Sequence, residues 1–135
     1  MSEEGRDGLA PLVLLVEDEL GLSKLMVMIL EEEGYRVAEA ANGAQGLARL
    51  EQEKPALIIT DYMMPELNGF EMVRTIRRNS SFDDVPILMM SGYTEQVAAP
   101  QFSNSSSGIT GFLQKPFMAE DLIAVLRRFA EAQTD

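Results

Sequence analysis

Leu12-Val13-Leu14-Leu15-Val16 is an unbroken apolar run, and Glu17-Asp18-Glu19 follows it at once. A run this short, with no polar alternation, reads as a strand buried on both faces, which requires a layer of structure on each side of its sheet. The stretch that follows carries Leu22, Leu25, Met26, Ile29 and Leu30 on one helical face and ends near Gly34. Tyr35 to Ala40 reads as a second strand, and Asn42 as the N-cap of a helix carrying Leu47 and Leu50 and closed by Pro55. Ala56 to Thr60 reads as a third strand, and Phe70, Val73 and Ile76 mark the next helix. Val85 to Met90 and Thr110 to Leu113 are strand-like. Leu122, Val125, Leu126 and Phe129 stand at i, i+3, i+4 and i+7 of a final helix. Strand and helix thus alternate about five times, which predicts an α/β domain with a parallel sheet and helices on both faces. One stretch resists the pattern. Ala98 to Gly108, where a fourth helix is due, holds Pro100 and the run Asn104-Ser105-Ser106-Ser107, so a short or irregular helix or a mobile surface loop is expected there. The reading divides the chain into a polar lead over 1–10, one domain over 11–132 and a tail over 133–135.

The chain has 135 residues, 46% of them hydrophobic, which suits one domain with a real core. The net charge of −11 gives a surface that repels nucleic-acid phosphates, so direct DNA or RNA binding is not expected. There is no signal-peptide pattern, and no apolar segment approaches the ~20 residues of a membrane span. With no cysteine, disulfides and thiolate chemistry are excluded, and a cytoplasmic setting is expected. The absence of histidine is more telling. No phosphohistidine, His-dependent triad or imidazole metal site can form, and any histidine donor must come from another domain or protein.

The polar residues at the strand ends carry the chemistry. Glu17 and Asp18 follow the first strand, Asp61 the third, Ser91 the fourth and Lys115 the fifth. In an open parallel sheet these positions converge on the carboxyl edge, where sites form beside the switch in strand order. Clustered carboxylates repel one another unless a cation enters, and Mg²⁺ (or Mn²⁺) is a hard, oxygen-seeking guest that suits them. A carboxylate nucleophile, a divalent metal, an ammonium and a hydroxyl are the parts needed for phosphoryl transfer to a carboxylate. Each residue also has a plain structural reading. Asp18 could cap the helix that follows, Ser91 beside Gly92 could be a turn residue, and Lys115 before Pro116 a solvated loop lysine. Their joint placement is what points to chemistry.

Four segments carry a specific resemblance: Leu-Leu-Val-Glu17-Asp18-Glu, Thr-Asp61-Tyr-Met-Met-Pro65-Glu-Leu-Asn-Gly69, Met-Ser91-Gly-Tyr-Thr and Gly111-Phe112-Leu-Gln-Lys115-Pro116-Phe. In this order, from Pro11 to about Ala132, the chain resembles a response-regulator receiver domain of bacterial two-component signalling. The last two segments are similar to receivers fused to hybrid histidine kinases. The resemblance implies a flavodoxin-like five-stranded parallel sheet of order 2-1-3-4-5 and a cis Lys115–Pro116 bond. It implies that Asp61 accepts a phosphoryl group from a histidine kinase or phosphotransfer protein. Asp18, Asp61 and the backbone carbonyl of Met63 would bind Mg²⁺ directly, and Glu17 through water. Lys115 would pair with the phosphoryl oxygens. Ser91 would move inward to hydrogen-bond one of them, and the Phe112 ring would follow it as a switch. The output would be a changed surface around the fourth and fifth helices, read by a partner protein or a fused domain.

Two related chemistries fit poorly. A flavodoxin-type cofactor binder needs a Ser/Thr/Gly-rich phosphate loop where this chain has Glu17-Asp18-Glu19, and a haloacid-dehalogenase-type phosphatase needs an acid where it has Met63. The reading from a different class is a non-catalytic protein-interaction module on the same fold. Three departures from the family pattern are informative. Met118 stands where a Ser, Thr or Asp cap is usual, so the last helix is expected to fray at its start. The irregular Ala98–Gly108 stretch puts family-style dimerisation in question. By the resemblance, Met63 and Tyr93 occupy positions that in the family influence how water reaches an acyl phosphate, and neither is a carboxylate or amide that would orient it. The phosphorylated chain is therefore expected to lose its phosphoryl group slowly, and rapid loss of label from purified phosphoprotein would refute this.

Overall fold

The computed structural model describes residues 10–62, 69–92 and 108–133. Strands β1 (Leu12–Val16), β2 (Arg36–Ala40), β3 (Leu57–Asp61), β4 (Ile87–Ser91) and β5 (Gly111–Gln114) form one parallel sheet of order β2-β1-β3-β4-β5. Among the described residues four helices accompany it: α1 (Leu20–Glu32), α2 (Gly43–Leu50), α3 (Gly69–Arg77) and α4 (Ala119–Gln133). A 3-10 turn spans Ser80–Phe82. The expected α/β class, parallel sheet and strand order are therefore all observed. The segments 63–68 and 93–107, with Met63, Tyr93 and most of the Ala98–Gly108 stretch, lie outside the described residues, as does the lead over 1–9.

Strand alternation divides the core into two layers. Val13 and Leu15 of β1, Leu57 and Ile59 of β3, Leu88 and Met90 of β4 and Leu113 of β5 face α1 and α4. Leu14, Val16, Ile58, Ile87 and Met89, the residues between them, face α2 and α3. Because both faces are covered, β1, β3 and β4 are buried at every position, which is why their sequences show no polar alternation. The α1 face differs from the expected one in one residue. Met26, Ile29 and Leu30 are buried with Ser23, whereas Leu25 is 50% exposed.

Several element ends are set by local hydrogen bonds. Asn42 caps α2 as anticipated, its Oδ1 accepting from the Gln45 amide at 2.9 Å. That helix ends at Leu50, well before Pro55. Met118 was expected to leave α4 frayed, but its own N–H donates to Asp121 Oδ2 at 2.8 Å, which is half of a capping box. Asp18 does not cap α1: the N-cap position is Glu19, with no side-chain bond to the helix. The Lys115–Pro116 bond is cis, as the resemblance implied.

Arg77, at the end of α3, is a structural hub that sequence reading did not single out. Its Nε donates to the Gly108 carbonyl (3.0 Å), Nη1 to Phe82 O (2.7 Å) and Nη2 to Val85 O (2.9 Å). One guanidinium thereby ties the helix end to the 3-10 turn, the approach to β4 and the approach to β5. Gly108 has φ +84°, and a Cβ there would meet Arg77 Cγ at 2.7 Å, so glycine is required on both counts. Removing the guanidinium strands part-buried carbonyls. Arg77→Ala is expected to lower stability by about 2–4 kcal/mol, measurable as a shift in the denaturant midpoint, and a change below about 0.5 kcal/mol would refute the clamp.

Candidate phosphoryl-transfer site at the carboxyl edge of the sheet

The order β2-β1-β3-β4-β5 reverses direction at β1, and the predicted site residues gather at the carboxyl ends of the strands beside that point. Asp61 and Ser91 are the last residues of β3 and β4 rather than the first residues beyond them, and Lys115 follows Gln114 directly. Their backbones are therefore held by the sheet itself. The Glu17 amide donates to Ala40 O at 3.0 Å, the Tyr62 amide to Met90 O at 2.8 Å and the Lys115 amide to Ser91 O at 2.8 Å. Ladder bonds that run one residue past the strands leave each neighbouring side chain little freedom of placement.

The charged groups meet as follows. Glu17, Asp18 and Asp61 each offer a carboxylate oxygen, and these atoms lie within 4.8 Å of one another. Lys115 Nζ sits 3.0 Å from Glu17 Oε1 and 3.2 Å from Asp61 Oδ1. Glu17 Oε2 accepts from the Glu19 amide at 3.0 Å. Glu17 and Asp61 are buried, whereas Asp18 is exposed. Burial raises the Asp61 carboxyl above the usual carboxylate range against the pull of Lys115, and the nearby Asp18 raises it further. Burial likewise raises Glu17, opposed by the Glu19 amide and by Lys115. For Lys115, burial disfavours the ammonium, but the two carboxylates together outweigh it and hold its proton more tightly than usual. A hard, oxygen-only donor set carrying three negative charges suits a divalent cation such as Mg²⁺, which would relieve the desolvation and repulsion of the carboxylates.

Of the remaining predicted residues that are described, Ser91 stands at the same edge and Phe112 lies further back along β5. Ser91 is 1% exposed at the end of β4. Phe112, paired in register with Met89, is half-buried and packs on the layer that faces α2 and α3. Two contributors were not identified from the sequence. The Glu17–Lys115 pair spans 98 positions of sequence, which no local pattern discloses. Gly69 closes the loop after Asp61: its amide donates to Tyr62 O at 2.8 Å, and a Cβ there would overlap the Asp61 carbonyl oxygen and approach Met89 Sδ at 3.0 Å.

The response regulator receiver domain model matches residues 13–127. The chain belongs to the response regulator receiver family. Among solved structures, this receiver is similar to the chemotaxis response regulator CheY4 of Vibrio cholerae, with a TM-score of 0.81 and 32% identity over 89% of this chain and 98% of that one. It is 32% identical over 117 residues to the DNA-binding dual master transcriptional regulator RpaA of Synechocystis, covering 87% of this chain and 48% of that protein. It is also 32% identical over 114 residues to hybrid signal transduction histidine kinase D of Dictyostelium discoideum, covering 84% of this chain and 7% of that protein. The chain thus spans about half of one of these curated relatives and a small part of the other. Receivers are signalling switches of two-component systems. No helix among the described residues of this one is long and apolar enough to cross a membrane.

The closeness of Gly69 to the acceptor strand predicts that Gly69→Ala must push the Asp61 carbonyl and the loop apart. A loss of about 1–3 kcal/mol, together with slower phosphoryl uptake by the folded variant, is the expected result. Unchanged thermal unfolding and uptake would show that the loop yields freely.

Proposed function

We propose that this receiver takes a phosphoryl group onto Asp61 from a phosphohistidine of a histidine kinase or phosphotransfer protein. The observation that carries the reading is the Lys115 ammonium 3.2 Å from Asp61 Oδ1, in a buried edge that also gathers Glu17 and Asp18. In the step, an Asp61 oxygen attacks phosphorus, the donor's P–N bond breaks, and the electron pair leaves with the imidazole. Lys115 offsets charge on the phosphoryl oxygens, and its backbone bond to Ser91 anchors the root of the side chain at this edge. Asp18 and Asp61 would hold Mg²⁺ directly and Glu17 through water, with the Met63 carbonyl, outside the described residues, as the further ligand that the family resemblance implies. The bound ion would neutralise charge shared between the carboxylates and the phosphoryl oxygens. The Ser91 hydroxyl would follow the phosphoryl group, with Phe112 moving in response, so that a charge event at the edge alters the surface a partner or fused domain reads. Catalysis of its own phosphorylation and dephosphorylation makes the chain a self-modifying switch rather than a turnover enzyme.

The partner side of the reading rests on two facts. The chain contains no histidine, so the phosphodonor histidine is supplied in trans or by another domain. Leu20 and Leu25, 67% and 50% exposed, line hollows that open on either side of the acidic cluster, beside Glu17 and Lys115 respectively. A donor element seated there would lie within reach of Asp61.

The deciding experiment is incubation with a small-molecule phosphodonor, with and without Mg²⁺, followed by intact mass, beside Asp61→Asn. A gain of one phosphoryl mass that needs both Mg²⁺ and Asp61 is expected. Mg²⁺ should also raise the unfolding temperature of the wild-type chain, by about 2.7 kcal/mol of stabilisation at a hundredfold excess over its dissociation constant. No gain, or a gain indifferent to Asp61, would favour the interaction module.

A further inference from the structure

Ser91 and Phe112 are not lateral neighbours. Ser91 is paired in register with Gln114, whereas Phe112 stands beside Met89, two residues back along β4. Strand alternation puts Met89, Ser91 and Phe112 on the face of the sheet that α2 and α3 cover. Met89 has a second neighbour. Its Sδ lies 3.0 Å from the point where a Cβ on Gly69 would sit, and the same Cβ would overlap the Asp61 carbonyl oxygen. Met89 therefore lies between the glycine that closes the loop after Asp61 and the aromatic ring on β5. We propose that Met89 is a positioning residue for the switch: its flexible side chain adjusts to Gly69 at one end and to the Phe112 ring at the other, so that a change at the phosphorylated acceptor reaches Phe112 through Met89. The proposal rests on the reading of Asp61 as phosphoacceptor and deepens it.

Packing and side-chain chemistry both favour Met89 for this part. It is fully buried, as are Thr60, Ile58 and Ile87, which share its face of the sheet. In an interior packed to crystal density, a group that moves leaves a void or an overlap unless a neighbour follows it. Those three neighbours are ill suited to follow. Each is β-branched and therefore stiff at χ1. Thr60, in register with Met89 on the β3 side, is held further by its Oγ1, which donates to Asp61 O at 3.1 Å. Methionine is unbranched, has three rotatable bonds and a polarisable sulfur, and refills irregular space readily. Its root is fixed in the ladder beside Phe112, and its sulfur rests against Gly69. Because glycine has no side chain, nothing intervenes between that sulfur and the loop backbone. A shift of the loop thus meets Met89 first, and Phe112 borders the space that Met89 must take or yield.

The test uses the full chain with para-fluorophenylalanine in place of Phe112, followed by fluorine NMR before and after a small-molecule phosphodonor and Mg²⁺ are added. Intact mass on the same samples reports phosphoryl uptake. In the otherwise wild-type chain the signal is expected to shift on phosphorylation. Met89→Ile conserves volume but brings a branched, stiff Cβ. It should take up phosphoryl groups within about twofold of the wild-type rate, yet lose about half or more of the shift. Met89→Leu, which shortens the flexible end and leaves Cβ unbranched, should lose a comparable part, and it carries the comparison if the Ile variant does not fold. A residue that merely filled space would lower the unfolding temperature and leave the response at position 112 whole. A full wild-type shift in either folded variant would therefore overturn the proposal. Phosphorylation of the wild-type chain without movement at position 112 would overturn it together with the role of Phe112, leaving transfer to Asp61 intact. No uptake by the wild-type chain would instead overturn the transfer reading on which the proposal rests.

Discussion

Lys115 contributes the ammonium on which the edge of this sheet depends. Two buried carboxylates within reach of one another are costly, and desolvation raises both Glu17 and Asp61 above the usual carboxylate range. A single positive charge placed between them, 3.0 Å from one and 3.2 Å from the other, makes the arrangement tolerable without any ion. That solution is partial by construction, because one ammonium cannot neutralise three acids. In the proposed function, the residual negative charge would attract a divalent cation, and the cation in turn would allow a dianionic group to approach. The instability of the resting site and its proposed chemical use would then have the same origin.

The sheet supplies the rigidity this requires. Lys115, Glu17 and Tyr62 donate their backbone amides to the neighbouring strand just where the strands end, so the side chains that meet at the edge are carried by the most buried part of the molecule. Two helical layers hold that sheet from either side, and the layer on α2 and α3 also receives the Phe112 ring. Movement of Ser91 and Phe112 would thus be felt in packed side chains rather than in solvent. Close-packed interiors respond to such changes by switching between arrangements rather than by deforming smoothly. Arg77 holds the opposite boundary, where the chain returns to β5 through Gly108.

Much of this was legible in the sequence. The apolar runs reported strands covered on both faces, and the positions of Glu17, Asp61, Ser91 and Lys115 after those runs reported their convergence. Departures came where tertiary packing overrode local pattern. Leu25 fits the apolar period of α1, yet it falls outside the arc that the sheet covers and is exposed. Asp18 has the chemistry of a helix cap, but the helix begins one residue later and leaves the carboxylate with the acidic cluster. Met118 is a poor cap by type, and Asp121 compensates from the first turn of the helix.

Hydrophobic periodicity and the order of polar residues after each strand sufficed for the fold class and for the roster of side chains at the edge, because strand alternation and strand ends are local properties of a chain. Only the folded molecule decided which of those side chains meet. Lys115 could have faced solvent. Its pairing with Glu17 and Asp61 follows from β1, β3 and β4 lying side by side, with β5 bringing the lysine to the same edge. The requirement for glycine at position 69 likewise arises from its approach to the backbone of Asp61, a distance that exists only once the loop after β3 has closed. Contacts between residues far apart in sequence are set by chain topology and packing, and those are properties of the whole molecule.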